Sequence, residues 1–491
     1  MRYPDLQNAL IASNIALKNS TNKENIALMA IWLPDLTGKR GPKYLQIVEA
    51  LADDIKSGRL SYGAKLPPHR ELAYQLDVSP NTTSRAYSEA VERALIRGEV
   101  GRGTFVRGPS TIRETGDDGG LTRKRTGPID LSRNLPLPGL AGSKLAQACA
   151  VLGQSQTLSA LADYQTESDS GRVADACIEW LRRHGVRSES DRIVISSGAQ
   201  HGVFAALTAL TRPGDLLLTE ALTYAPVKAM AARLSLKIAP VAIDEDGVRP
   251  DELDRICSER SVKALYITPT LQTPTGRTMK AERRRALSSI ARRHDILLIE
   301  DDVFGLLHRD RHEPVAMLAP ERTIYITSAS KCLAPGLRVG LVCAPTRMVN
   351  PIRNAVNLTC WMPPPLMTEI FAQWIQDGTS EQLTEMQIKT AHKRQQIAQH
   401  ILGGYIPEVT HGLHFWLTLP DGWSADQFTL EASDGGVKVT NGTAFAVAAQ
   451  SAPNAIRICL SHEADESRLK AGLEKLRAIL DEGPGNAQLI L

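Results

Sequence analysis

The stretch "SASKCLAPGLRVG", residues 328–340, sets Lys331 beside Ser330 and ahead of a Pro-Gly turn, with Arg338 seven residues further on. A lysine partly removed from water has a lowered pKa and can form a Schiff base with a carbonyl. Ser328, Ser330 and Arg338 offer hydroxyls and a guanidinium fork suited to a phosphate. In "RIVISSGAQ" the residues Gly198, Ala199 and Gln200 leave a strand and open a helix, where backbone N–H groups face an anion. Asp301 ends the apolar run "DILLIED", and a buried carboxylate there must meet a cation such as a protonated ring nitrogen. Tyr224 in "EALTYAP" supplies a flat face for a ring.

A Schiff-base lysine, a phosphate cradle, a carboxylate for a ring nitrogen and a stacking aromatic are together what pyridoxal phosphate needs. The elements that must position them are legible. "RIVISSGA", "DLLLTE", "LKIAPVAID", "VKALYITP", "DILLIED", "TIYITSAS" and "VGLVCA" are short runs rich in Val, Ile and Leu, as buried strands are. Helical runs such as "AQHGVFAALTAL" and "KAERRRALSSIARRH" lie between several of them. The expectation is an α/β domain, a mostly parallel sheet covered by helices, with its ligand at the strand C-termini.

A second kind of chemistry sits upstream. "YLQIVEALADDIKSG" places Leu45, Val48, Leu51, Ala52 and Ile55 on one helical face, ended by Gly58. "RELAYQLD" predicts a second helix, and "VSP" a tight turn with Ser79 as N-cap and Pro80 at the first helical position. "NTTSRAYSEAVERAL" predicts a third, with Ala86, Ala90, Val91 and Leu95 inward, and "IRGEVGRGTFVRG" a hairpin turning near "GRG". This α+β layout is that of a winged helix-turn-helix, whose second motif helix enters the major groove of double-stranded DNA. Asn81, Thr82, Thr83 and Arg85 are then expected near bases, and Arg102 between two glycines at the wing tip.

Composition agrees with two working parts. The 491 residues exceed one ordinary domain. Net charge is only +3, but residues 39–107 hold 12 Lys and Arg against 8 Asp and Glu, the excess a phosphate-contacting module carries. Seven scattered cysteines without a C-x-x-C pair argue against a disulfide framework and a metal site. No apolar run approaches the roughly 18 residues of a membrane helix, and "MRYPDLQNAL" lacks a signal pattern, so a cytoplasmic chain is expected. The expected domains are an extension of unassigned role (1–42), the DNA-binding domain (43–107), a flexible linker (108–128) and the cofactor domain (129–491).

"KLPPHRELAYQLDVSPNTTSRAYSEAVERALI" followed by "GRGTFV" closely resembles the GntR-type DNA-binding domain. The resemblance implies DNA contacts from Arg70, Ser79, Asn81, Thr82, Thr83, Arg85, Arg102, Gly103 and Thr104. "TPTLQTPTG", "IEDDVFG" and "SASKCLAPGLRVG" occur in the order shown by fold-type I, aspartate-aminotransferase-like proteins. That likeness implies that Arg457 in "AIRICL" takes an effector carboxylate, that Asn134 in "DLSRNLPLP" faces the same pocket, and that the chain forms a homodimer. The fusion of the two resembles the MocR class of regulators. Its implied function is a regulator in which a small amino compound displaces Lys331 from its aldimine with pyridoxal phosphate and so changes operator binding. The alternative is an active aminotransferase with an accessory DNA-binding module.

Two departures from the enzyme pattern favour the regulator. Thr273 stands where the family has Asn in "NPTG", and Phe304 where it has Tyr, three residues after Asp301. Both family residues donate to the cofactor's ring oxygen. Phe304 has no donor and Thr273 a shorter, differently aimed one, so efficient turnover is not expected. In "DYQTESDSGR" the expected Pro-Gly signature is degraded, though Tyr164 remains.

Overall fold

The computed structural model describes residues 32–60, 64–93, 95–99, 103–106, 127–165, 171–406, 411–448 and 452–484. These fall into two compact units that divide between residues 117 and 118. The expected linker lies outside the described residues except for its last two.

The N-terminal unit has helices Lys43–Lys56, His69–Gln75 and Pro80–Glu92. Ile47, Val48 and Leu51 of the first meet Leu72 of the second and Ala86 and Ala90 of the third. The buried face of the first helix is turned from the predicted one: Ile47, Ala50 and Asp54 are buried with Val48 and Leu51, while Leu45, Ala52 and Ile55 are only half-buried. Ser79 caps the third helix, its Oγ accepting from the Thr82 N–H at 3.2 Å, with Pro80 next. Val91, expected inward, is 49% exposed. The inward stripe runs Thr83, Ala86, Ala90, three and four residues apart, and Val91 lies one step off it. Strands Ile96–Glu99 and Gly103–Val106 form the expected hairpin, with Ile96 opposite Val106, and Lys65–Leu66 adds a third strand. The segment before residue 43 is not a separate extension throughout. Trp32 and Leu36 pack on this core, and the Trp32 indole donates to Asp54 Oδ2 at 2.9 Å.

The C-terminal unit contains, among the described residues, a seven-stranded sheet ordered Ile193–Ser196, Gly340–Cys343, Thr323–Ser328, Leu297–Asp301, Ala264–Ile267, Leu216–Glu220, Lys237–Val241. All seven are the runs singled out in the sequence. Only Gly340–Cys343 runs antiparallel to its neighbours. Alternate side chains face opposite layers, as a pleated strand requires. Ile324 and Ile326 pack with helices Ala199–Leu210 and Thr346–Cys360, while Tyr325 between them joins helices Gly171–Arg183 and Pro365–Gln376. A smaller antiparallel sheet follows, with His414–Thr418 paired to Ala455–Cys459 and that strand to Thr440–Asn441. The short strand Ile129–Asp130 pairs in parallel with Val437–Lys438, which ties the start of this unit to its end. Among the described residues no helix is long and apolar enough to cross a membrane.

Candidate cofactor and nucleic-acid sites

Lys331 lies three residues past the end of the strand Thr323–Ser328, and its Nζ donates to the backbone carbonyl of Asn134 at 2.5 Å. Burial pushes its amine down to about 8, with the Arg457 and Arg338 charges adding to that and Cys459 and Asp301 opposing it. The Phe304 ring centroid lies 5.4 Å from Nζ. The lysine predicted from sequence is therefore half-buried, depressed in pKa and gathered with the other predicted groups.

Asp301 ends the neighbouring strand. Burial raises its carboxyl to about 6, against the lowering effect of the Tyr266 hydroxyl, which donates to Oδ2 at 2.6 Å. Oδ1 is buried and has no partner among the described residues. A buried carboxylate oxygen left unpaired is costly, so this atom fits the N–H of a protonated ring.

The turn predicted to cradle a phosphate is built as closely. Gly198, at φ +87°, caps the helix Ala199–Leu210. A Cβ on it would fall 2.6 Å from Arg338 Nη2, so only glycine lets the guanidinium close over this turn. Arg338 itself sits at φ +52° and donates from Nη2 to the Ser197 carbonyl at 3.0 Å. Gly340 is needed as well, because a Cβ there would meet Ala199 N at 2.8 Å. The Ser330 N–H reaches Ser328 Oγ at 3.4 Å. The Tyr224 hydroxyl donates to Gln200 Oε1 at 3.2 Å, and burial pushes that phenol up to about 12 in the company of Asp301, Arg338 and Arg457. A phosphate, a protonated ring and an aldehyde-bearing carbon match the cradle, Asp301 and Lys331 respectively. The residues present fit pyridoxal phosphate.

On the small-sheet side, Arg457 donates from Nη2 to the Ser132 carbonyl at 2.7 Å and lies 4.7 Å from the Phe445 ring centroid. Its Nε is buried and unpartnered among the described residues. Asn134 Nδ2 lies 2.9 Å from His414 Nδ1. Thr273 is buried next to Gln272, whose amide donates to Glu220 Oε2 at 3.2 Å. His414, Tyr266 and Cys459 belong to this site but were not anticipated. Each sits in a short, mostly buried strand with no local motif to single it out.

In the N-terminal unit Arg70, Ser79, Asn81 and Arg85 are exposed, as is Gly103 at φ +115°, while Thr82 and Thr104 are partly so. Arg85 stacks 4.1 Å from the Tyr44 ring centroid and donates to the Tyr44 hydroxyl at 3.2 Å. Thr83 corrects its predicted role. It is fully buried, and its hydroxyl donates to the carbonyls of His69 at 2.8 Å and Pro80 at 3.0 Å. It joins the two motif helices and does not face outward. Arg102 lies outside the described residues.

Residues 129–476 match the family of class I and II aminotransferases, and residues 43–106 match the gntR family of bacterial regulatory proteins. The chain is 30% identical over 464 residues to the uncharacterized HTH-type transcriptional regulator YdeF of Bacillus subtilis, covering 92% of this chain and 97% of that one. It is 25% identical over 361 residues to the probable rhizopine catabolism regulatory protein MocR of Rhizobium meliloti, covering 69% and 72%. Among solved structures, an archaeal alanine:glyoxylate aminotransferase superposes with a TM-score of 0.67 at 25% identity, over 73% of this chain and 92% of that one. The chain belongs to the class I and II aminotransferase family and, with its GntR-type DNA-binding domain, to the MocR class of transcriptional regulators.

Proposed function

We propose that this regulator senses a small amino compound, which competes with Lys331 for pyridoxal phosphate and thereby changes the hold of the N-terminal domain on its operator. The observation that carries the reading is the unpartnered Asp301 Oδ1 near the depressed amine of Lys331, close enough for each charge to act on the other. When bound, pyridoxal phosphate supplies an aldehyde that condenses reversibly with primary amines. With a pKa near 8, an appreciable share of Lys331 is neutral at physiological pH and can act as a nucleophile. Ser328, Ser330, Arg338 and the backbone of Gly198–Gln200 would hold the phosphate. Asp301 would take the ring N–H, Tyr224 would lie against the ring, and Thr273 would approach its oxygen.

Arg457 would hold a carboxylate or sulfonate of the effector, with Asn134 beside it. On DNA, Arg85 would be presented by Tyr44, with Asn81, Thr82, Ser79 and Arg70 alongside and Arg102, Gly103 and Thr104 in the wing. The fold suggests a dimer, so two such domains would read paired half-sites. A coupling of about 1–3 kcal/mol between effector and operator would be ordinary for such a device.

A second reading, a working aminotransferase, draws on the survival of Asp301, Lys331 and Arg457 together. Phe304 weighs against it, since the side chain beside the lysine has no proton to donate. Borohydride reduction of the cofactor-loaded chain, followed by peptide mapping, should place the label on Lys331. A label on another lysine overturns the assignment. Loaded chain incubated with amino compounds and a keto acid should give a shifted visible spectrum with little product. Turnover near the ~10 per second of an ordinary enzyme would favour the aminotransferase.

A further inference from the structure

Arg457 lies in the middle of the strand Ala455–Cys459, between Trp416 and Thr440 on the two flanking strands. An arginine side chain has many rotamers, and ordering it only when a ligand arrives weakens binding. Here two contacts order it beforehand. Nη2 donates to the Ser132 carbonyl at 2.7 Å, and the guanidinium carbon sits over the Phe445 ring, 4.7 Å from its centroid. The first contact anchors one nitrogen, and the second sets the whole group against an aromatic face.

The Phe445 ring is itself held. It is 3% exposed and meets the Trp416 ring edge-on at 6.1 Å. Its N–H donates to the Gly442 carbonyl at 3.0 Å, and its carbonyl accepts from the Thr223 N–H at 3.0 Å. The Val447 N–H donates to the Ala221 carbonyl at 3.1 Å. Lys228 Nζ donates to the carbonyls on either side of Phe445, those of Ala444 at 2.7 Å and Ala446 at 2.9 Å. The turn before the ring packs directly on the arginine's own strand, since a Cβ on Gly442 would fall 2.6 Å from the Ala455 carbonyl oxygen. Phe445 is therefore tied both to the segment that leads into Tyr224 and to the strand that carries Arg457.

We infer that Phe445 is a positioning residue for effector recognition: its ring holds the Arg457 guanidinium in one orientation, and this gives the pocket its preference for amino compounds bearing a carboxylate over their neutral isosteres. The inference rests on the sensor reading above, with Arg457 as its anion binder, and adds what makes that arginine selective. An aromatic face attracts a cation most strongly where water is excluded, and Arg457 is only 9% exposed. The N–H groups of a guanidinium lie in its own plane and pair best with a coplanar carboxylate. A carboxamide in the same place lacks the charge and turns an NH2 toward a group that can only donate. Leucine at position 445 would still be apolar, but without a π face it would let the guanidinium turn.

The test uses the full-length, cofactor-loaded chain and near-isosteric pairs: L-alanine against L-alaninamide, β-alanine against β-alaninamide, and 4-aminobutyrate against 4-aminobutanamide. Titration of the visible band gives an acid-to-amide affinity ratio for each pair. Ratios are compared between variants, so the differing basicity of the two amines cancels. The wild type should favour the acid in the pairs that bind. Phe445→Leu should lower the ratio about tenfold while leaving amide affinity within about twofold of the wild type. Phe445→Tyr, which keeps a π face, should hold the ratio within about threefold. Lys228→Met, which removes the two bonds to the segment but leaves the ring, should lower the ratio by a smaller factor, and it decides the matter if Phe445→Leu fails to fold. An unchanged ratio in Phe445→Leu, equal weakening of acid and amide, or a tyrosine variant as poor as the leucine one overturns the inference and leaves the sensor reading intact. A wild type that binds amides as tightly as acids removes Arg457 as the anion binder, and the inference with it, while amine sensing stands. Failure of every amino compound to shift the band or alter DNA binding sinks both.

Discussion

The two sides of the lysine pocket differ in what they keep. Where a ring nitrogen would sit, Asp301 is buried at a strand end and braced by Tyr266 at 2.6 Å, with one oxygen unpaired among the described residues. Toward the position where the family places its ring-oxygen donors, Phe304 contributes an apolar face and Thr273 a short hydroxyl. The first side would support binding of the cofactor, and the second would leave later steps unassisted. A pocket that would hold the cofactor and leave the later steps unassisted suits a sensor better than a catalyst.

The contrast is broken most severely at Asp301. Asp301→Asn keeps an acceptor but removes the charge. Losing one partner of a buried ion pair costs about 3–5 kcal/mol, so cofactor affinity measured by absorbance titration should fall about a hundredfold or more. A change below threefold would mean that Asp301 does not meet the ring nitrogen. The pH dependence sharpens the same point. The Asp301 carboxyl is raised to about 6 in the folded chain, above its unfolded value of about 3.9. Between those values the folded state keeps a proton that the unfolded state has lost, so the cofactor-free chain loses stability as pH rises through this window. A cation opposite Asp301 removes that penalty. The cofactor-induced rise in Tm should therefore be larger at pH 8 than at pH 5, and the difference should shrink in Asp301→Asn.

The DNA-binding helix carries a similar contrast between neighbouring residues. Arg85→Ala should cost about 1–3 kcal/mol of operator affinity and relax one base pair if the side chain reads a base, or flatten the salt slope if it touches phosphate. Unchanged affinity and slope would remove Arg85 from the interface. Thr83→Val, two residues away, should instead lower the stability of the domain by about 1–2 kcal/mol, because it removes the buried hydroxyl that bonds to the His69 and Pro80 carbonyls. DNA affinity of the folded fraction should hold, and specific loss of affinity would reinstate Thr83 as a reader.

The smallest effect is expected at Phe304→Tyr. It adds one hydroxyl beside Lys331 and should shift the pH dependence of the visible band, with at most a modest gain in product. An unmoved pH profile would place residue 304 away from the ring oxygen.

What the sequence revealed and what it hid divide along contact range. Lys331, Arg338, Gly198 and Asp301 were legible because strand ends and turns announce them over a few residues. All seven strands of the sheet were legible for the same reason. His414 was not, since its partner Asn134 is 280 residues away and nothing local couples them. Tyr266 braces Asp301 from another strand, 35 residues off. Thr83 was misread because its type suits DNA while its position on the helix, in line with Ala86 and Ala90, turns it inward. Tyr44 under Arg85 brings together two helices that sequence could only place separately.

The central claim is that chemistry at Lys331 governs DNA binding. Its most direct test is a titration of an operator fragment, selected by the full chain from random DNA, by the cofactor-loaded protein with and without an amino compound that shifts its visible band. The account predicts that the compound changes operator affinity by about five- to a hundredfold in the wild type and that Lys331→Ala abolishes the change while still binding DNA. An equal response in Lys331→Ala, or no response in the wild type despite the shifted band, would contradict it.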